Sequence, residues 1–246
     1  MDVAAGRSEG TEDERDSRSQ RLAAFDGSAA TAVSHNLNGQ KLGRKGRVTR
    51  ERILAAAADL IEEAGEDQVT LSAIARRASL GMSSLYNYFS DLTEVVLAVL
   101  DPVMTAGREE FEALLEDYWP DDVLPQRCQA FVAAYHRFWS RYSGLLHLRN
   151  SMADQFDLRM MRERVASTSP LIGMLERQMD RNATNGADVQ SMATVLMTGI
   201  ERSITLATDR RLHRMVGFGA QRDQVDVRNS VARLMELGIR DMRAQA

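Results

Sequence analysis

From residue 41 onward this chain offers almost nothing from which to build a β-sheet. Strands call for runs of alternating β-branched and aromatic residues between turn clusters. Here apolar residues recur at three- and four-residue intervals, the repeat of an α-helix with one buried stripe. Only four prolines occur (Pro102, Pro120, Pro125, Pro170), and each can stand at a helix start or in a connector. No repeat of 20–50 residues marks an array. The fold class expected is all-α.

The periodicity predicts a first helix on Ile53, Leu54, Ala57, Leu60, Ile61 and Ala64, closed by Gly65. Thr70 is placed to N-cap a second helix that buries Leu71, Ile74, Ala75 and Ala78. Gly81 interrupts the pattern, and a short third helix with Leu85 and Phe89 follows. A fourth starts near Ser90, with Val95, Val96, Val99 and Leu100 inward, and Asp101-Pro102 reads as the start of a fifth. Later helices are expected near 102–118, 124–141, 144–156, 158–168, 170–182, 187–214 and 222–244.

Residues 1–40 have no sustained apolar period and cannot offset their ordering entropy, so they read as a disordered leader. The net charge of −4 argues against a bulk polycation that coats nucleic acid or anionic membranes. One concentrated basic run, Lys41 to Arg52, carries six positive charges against one negative. It reads either as a solvated lead-in or as an arm on phosphates, through Arg44, Lys45, Arg47 and Arg50. Cys128 stands alone, so no intramolecular disulfide, zinc ribbon or iron–sulfur cluster fits. The N-terminus has no signal-peptide stretch, and no apolar run approaches the roughly 20 residues that cross a bilayer. The chain reads as soluble and cytoplasmic. No nucleophile elbow, metal-binding His-Glu-x-x-His or phosphate-cradling loop occurs, so no enzyme is expected, and no cofactor or metal.

Two short helices joined by a tight glycine-containing turn, after a longer helix, describe a helix-turn-helix. The outward face of helix three decides more than the lengths do. At about 100° per residue, Tyr88 and Phe89 fall on the side of Leu85, whereas Ser83 and Asn87 lie almost opposite, flanked by Ser84 and Tyr86. That face is small, uncharged and rich in hydroxyl and amide groups, where a solvated helix would show Lys and Glu. Such groups suit phosphate oxygens and base edges in a major groove.

Residues from about 50 to 100 resemble the DNA-binding domain of the TetR family of transcriptional regulators. The matching stretches are Ile53 to Ala57 with Gly65, Val69 to Ala78, and above all Ser83-Ser84-Leu85-Tyr86-Asn87-Tyr88-Phe89-Ser90. The resemblance implies that Thr70 donates to a phosphate, that Ser84, Tyr86 and Tyr88 touch the backbone, and that Ser83 and Asn87 reach bases. Leu85 and Phe89 match core positions. The family often has a glycine-then-serine turn where this chain has Ser79 and Gly81, and a lysine where it has Leu92. Helix three holds no Arg or Lys, so bidentate reading of guanine from it is excluded. The layout implied is a leader with a basic end over 1–46, a DNA-binding domain over 47–92, and a helical effector-binding and dimerisation domain over 93–246.

In that last region the resemblance favours a homodimer paired through Met192, Leu196, Ile200, Ile204, Val231, Leu234 and Met235. A two-fold dimer would demand a near-palindromic operator in double-stranded DNA. An aromatic stripe that includes Phe131, Tyr135 and Trp139 fits core or cavity. With Phe111, Leu115, His147, Met152 and Met174 it is the candidate lining of a pocket for a small, mostly apolar effector. The reading is a ligand-released repressor; an activator of the same fold, or a helical adaptor that binds only proteins, are the alternatives.

Overall fold

The computed structural model describes residues 35–37, 39–63, 68–115, 118–180, 186–209, 212 and 222–245. Gly65 and His213, and the whole leader up to residue 34, lie outside the described residues, as do the side chains of Leu115 and of 222–226. Among the described residues there are nine helices and no strand beyond one isolated bridge, His35 to Lys41. The helices are α1 (Arg44–Glu63), α2 (Leu71–Arg77), α3 (Met82–Leu85), α4 (Leu92–Leu115), α5 (Leu124–Arg141), α6 (Ser143–Asp154), α7 (Leu158–Met179), α8 (Gly186–Thr208) and α9 (Arg222–Gln245). None of them is long and apolar enough to cross a membrane. The chain forms two compact units, Met1–Leu60 with Thr70–Ala106, and Ile61–Val69 with Gly107–Ala246.

The first unit is built on one apolar knot. Ile53 and Ala57 of α1, Ile74 and Ala75 of α2, Leu85 of α3, Phe89, and Val95, Val96 and Val99 of α4 are buried together. Helix α2 begins at Thr70, whose extended backbone lets Oγ1 accept from the Ala73 amide at 3.2 Å. It ends in a Schellman arrangement: the Ser79 N–H donates to the Arg76 carbonyl and the Leu80 N–H to the Ala75 carbonyl. That closure puts Ser79 at φ +52, a left-handed backbone usually left to glycine. Helix α4 is started by a reciprocal cap. The Glu94 N–H donates to Asp91 Oδ1, while Glu94 Oε2 accepts from the Ser90 N–H and hydroxyl.

Three expected helix boundaries are corrected. The first helix starts at Arg44, so most of the basic run is helical and not an arm. Leu42, just outside it, is buried and pins the entry, and Arg and Lys propagate a helix well. Asp101-Pro102 starts nothing: α4 runs on through Pro102. Likewise 158–168 and 170–182 are one helix, with Pro170 inside. Proline removes one backbone donor and crowds the preceding turn. In α4 the apolar row Val95, Val96, Val99, Leu100, Val103 is buried on both sides of that defect. Burying one such side chain is worth about 1.5–3 kcal/mol, so the row outweighs the break.

The second unit packs α5 against α9, α7 against α6 and α8, and α8 against α9. Its centre is aromatic. Phe111 meets Phe131, Tyr135 and Phe138 at centroid distances of 6.3, 5.9 and 5.6 Å, and Phe131 stacks on Tyr135 at 6.0 Å. Cys128 of α5 is fully buried, and burial pushes its thiol up to about 12.

A left-handed residue with a Cβ costs about 1–2 kcal/mol, and glycine gives back roughly 0.5–1 kcal/mol of chain entropy. Ser79→Gly therefore raises stability by about 0.5–1 kcal/mol. Chemical denaturation should show a higher midpoint at unchanged slope; a lower midpoint would mean that the Ser79 backbone is not strained.

Candidate nucleic-acid interface

Helix α3 is a single turn. Its N-cap, Gly81, contributes no side-chain bond, and regular helix stops at Leu85. The chain then continues in tight turns, with the Asn87 N–H on the Ser84 carbonyl, and the Tyr88 and Phe89 N–H groups both on the Leu85 carbonyl. Helical period was expected to extend through Phe89. The tighter winding keeps the same partition of faces, because both apolar residues still point inward. Leu85 and Phe89 are fully buried, whereas Ser83, Ser84, Tyr86 and Asn87 are exposed and Tyr88 is half-buried. The four polar side chains expected to face outward do so. Thr70 is exposed as well; its oxygen accepts in the cap, and it shares a hydrogen bond of 3.1 Å with Ser72 Oγ in which either hydroxyl can donate.

The candidate cations separate. Arg44, Lys45 and Arg47 lie exposed on the first turn and a half of α1. Arg50 does not join them. It is only 8% exposed, and its guanidinium lies over the Phe89 ring, 5.1 Å from the centroid. Burial pulls its pKa below the ordinary arginine value, and the carboxylates of Glu94 and Glu51 partly restore it. Arg50, a candidate phosphate contact, instead lies buried as a brace for the segment 82–89. The cause is helical spacing: Arg50 follows Arg47 by three residues but lies on the same side as the buried Ile53 and Leu54.

Sequence reasoning missed one piece. Residues 35–41 were assigned to the leader, yet His35 bridges to Lys41, the Gln40 N–H donates to Asn36 Oδ1 at 2.8 Å, and Gly39 takes φ +73. The Leu37 N–H then donates to the Asn87 carbonyl at 3.0 Å, which ties this small loop to the turns that follow α3. The Asn38-Gly39 dipeptide, a strong turn signal, was the available clue.

Two further groups of expected residues are placed differently from the reading above. Leu196, Ile200, Ile204, Val231 and Met235 are buried inside a single chain. Helices α8 and α9 approach closely at Gly238, where a Cβ would lie 2.5 Å from Leu196 Cδ1, and this draws the stripe inward. Met192 is half-buried and Leu234 is 53% exposed; Leu237 of α9 and Val195 and Leu206 of α8 are exposed too. The aromatic candidates Phe111, Phe131, Tyr135 and Trp139, with Met174, are buried in a core of their own; Met152 is half-buried. Tyr135 is buried, and that burial raises its pKa. Of the expected lining, His147 borders a cleft among the described residues whose side chains carry polar and charged groups.

Residues 53–99 match the sequence profile of bacterial regulatory proteins of the tetR family. Over 72 residues the chain is 31% identical to YvdT, an uncharacterized HTH-type transcriptional regulator of Bacillus subtilis (strain 168), covering 28% of this chain and 37% of that protein. It is 28% identical over 72 residues to the HTH-type transcriptional regulator SAB2452 of Staphylococcus aureus (strain bovine RF122 / ET3-1), covering 29% and 39%. The chain therefore spans less than half the length of these curated relatives. Among solved structures, a proposed fatty acid metabolism regulator of Clostridium perfringens superposes with a TM-score of 0.54 at 14% identity, over 76% of this chain and 97% of that one. The SmeT–triclosan complex does so with a TM-score of 0.52 at 22% identity, over 75% and 90%. Those two likenesses show the fold: helix-turn-helix first, larger helical unit second.

Arg50→Ala removes a partly desolvated cation–π contact and the packing of the arginine stem. Stability should fall by about 1–2 kcal/mol, read as a lower urea midpoint. Arg47→Ala, on the exposed side, should leave that midpoint within about 0.5 kcal/mol.

Proposed function

We propose that this chain, whose residues 53–99 belong to the tetR family of bacterial regulatory proteins, acts as a dimeric, sequence-specific DNA-binding repressor. The observation that carries the reading is the exposed, uncharged face Ser83, Ser84, Tyr86 and Asn87, held outward by a buried Leu85 and Phe89. Asn87 and Ser83 read base edges in the major groove. Ser84, Tyr86, Tyr88 and the Thr70 hydroxyl hold phosphates, Thr70 at the partly positive start of α2. With no cation on α3, phosphate charge is met from α1 by Arg44, Lys45 and Arg47.

Dimerisation is assigned to the apolar side chains that the single chain leaves exposed, Val195 and Leu206 on α8 and Leu234 and Leu237 on α9. An isologous contact there would present two recognition segments to an inverted repeat. Bound to its operator, such a dimer excludes other proteins from the same duplex. A small effector that binds the second unit lowers operator affinity only by preferring the conformation that does not fit DNA. A solved structure of the same fold holds triclosan, which supports control by a small molecule.

Selection of duplexes from a random pool tests the reading: an enriched inverted repeat is expected, and a pool without enrichment overturns it. Asn87→Ala should then relax preference at one base pair per half-site by about 1–3 kcal/mol, while Tyr86→Phe weakens all sequences alike. Arg47→Ala should reduce the slope of log affinity against log salt by about 1. A uniform effect of Asn87→Ala would show that it anchors and does not read. Leu234→Glu should convert a dimer to a folded monomer in sedimentation, with helical circular dichroism unchanged and operator affinity lost; a dimer that survives would place the interface elsewhere.

A further inference from the structure

In the second unit, α6, α7 and α8 enclose an open cleft of about 480 Å³. The residues that line it carry polar or charged groups, among them Asn150, Ser151 and Asp154 of α6, Arg164 of α7, and Glu201 and Arg202 of α8, and about half of the wall they present is carbon. An apolar ligand would strip water from these groups without replacing its hydrogen bonds. The cleft suits a small ligand whose charged ends reach those groups.

Its floor is an unfinished ion cluster. Glu201 is 7% exposed, and its Oε1 lies 3.8 Å from Arg149 Nη2 and 3.7 Å from Arg164 Nε. Those separations give charge compensation but no hydrogen bond, and Oε1 accepts none from the protein. The arginines have other commitments. Arg149 donates to Asn150 Oδ1 from Nε and Nη2 at 3.1 and 3.0 Å and to Ser167 Oγ at 3.0 Å, while Arg164 donates to Asp154 Oδ1 at 3.0 Å. A buried carboxylate oxygen that lacks a donor is a costly state, which a ligand N–H can relieve. One residue further on, Arg202 is exposed and pairs with no carboxylate among the described residues. The cleft therefore offers an acceptor at its floor and a cation at its rim. A free divalent metal is disfavoured, because arginines flank the carboxylates and no group of three metal-binding side chains occurs among the described residues.

We propose that this cleft binds a small zwitterion of the amino-acid type, its ammonium hydrogen-bonded to the Glu201 carboxylate and its own carboxylate paired with Arg202. The ligand class deepens the regulator reading and rests on it for the consequence, a change in operator affinity, but not for binding itself.

The test offers the full chain each of the twenty free L-amino acids in turn, read by thermal shift and by calorimetry. At least one should raise the melting temperature and bind with a Kd below millimolar. Its decarboxylated amine and its deaminated acid should each bind ten-fold or more weakly. Glu201→Gln should weaken the amino acid ten-fold or more. Arg202→Gln, a surface change that leaves the fold intact, should weaken the amino acid by the same factor and leave the matched amine unaffected. If none of the twenty binds, or if Arg202→Gln binds the amino acid as the parent does, the proposal is overturned. Retention of duplex DNA is measured on the same samples. DNA held with no amino acid bound defeats the ligand assignment and leaves the regulator reading standing; an amino acid bound by a chain that retains no duplex does the reverse.

Discussion

The Phe89 ring, sealed in the core beneath the Arg50 guanidinium, is the contact on which the candidate interface depends. A four-residue helix has no stability of its own, because nucleation costs more than so few hydrogen bonds return. What fixes α3 is burial at both ends of the segment, Leu85 at its last helical residue and Phe89 four residues on. With those two side chains committed, geometry sends Ser83, Ser84, Tyr86 and Asn87 to the surface. Arg50 adds directionality: a cation on the face of the ring leaves Phe89 one favourable pose. The outward face is a consequence of the inward one.

The second unit solves a different problem. Its aromatic side chains were candidates for a cavity wall because they share a helical stripe. Instead Phe111, Phe131, Tyr135 and Phe138 contact one another at distances typical of tilted and edge-on rings. Interiors pack to crystal density, and a void among such rings would forfeit dispersion contacts with nothing to offset the loss. One cleft among the described residues opens where packing is governed by charge. Arg149, Glu201 and Arg164 cannot close on one another without breaking the bonds Arg149 makes to Asn150 and Ser167, so the corner between α6, α7 and α8 stays open and polar.

The all-α class, the order of the first helices and the exposure of Ser83, Ser84, Tyr86 and Asn87 were legible because each rests on a local rule. Thr70 caps, Leu85 and Phe89 mark the buried side, and Ser83 and Asn87 fall opposite by period alone. Proline misled where burial outweighed a lost hydrogen bond, at Pro102 and Pro170. The pairing stripe misled for a related reason. Periodicity shows that Leu196, Ile200 and Met235 are buried, but not against what; Gly238, which lets α8 and α9 meet within one chain, carries that information only once the helices are placed. Apart from His147 the cleft left no trace, since Asn150, Arg164 and Glu201 come together from three helices with no spacing that a linear pattern could register.

One consequence of the helical start at Arg44 bears on how the proposed interface divides its labour. An extended arm of cations loses conformational freedom when it settles on a phosphate backbone, and that loss subtracts from affinity. Arg44, Lys45 and Arg47 have a backbone already ordered in α1, in the same compact unit as the recognition segment. Their register relative to Asn87 is therefore fixed before any duplex arrives, and the Leu37 amide on the Asn87 carbonyl fixes it from the other side. Cations that cannot wander contribute to position as well as to charge. A face without charge of its own can then read bases by hydrogen bonds alone, because the rigid helix beside it sets where along the groove those bonds are made.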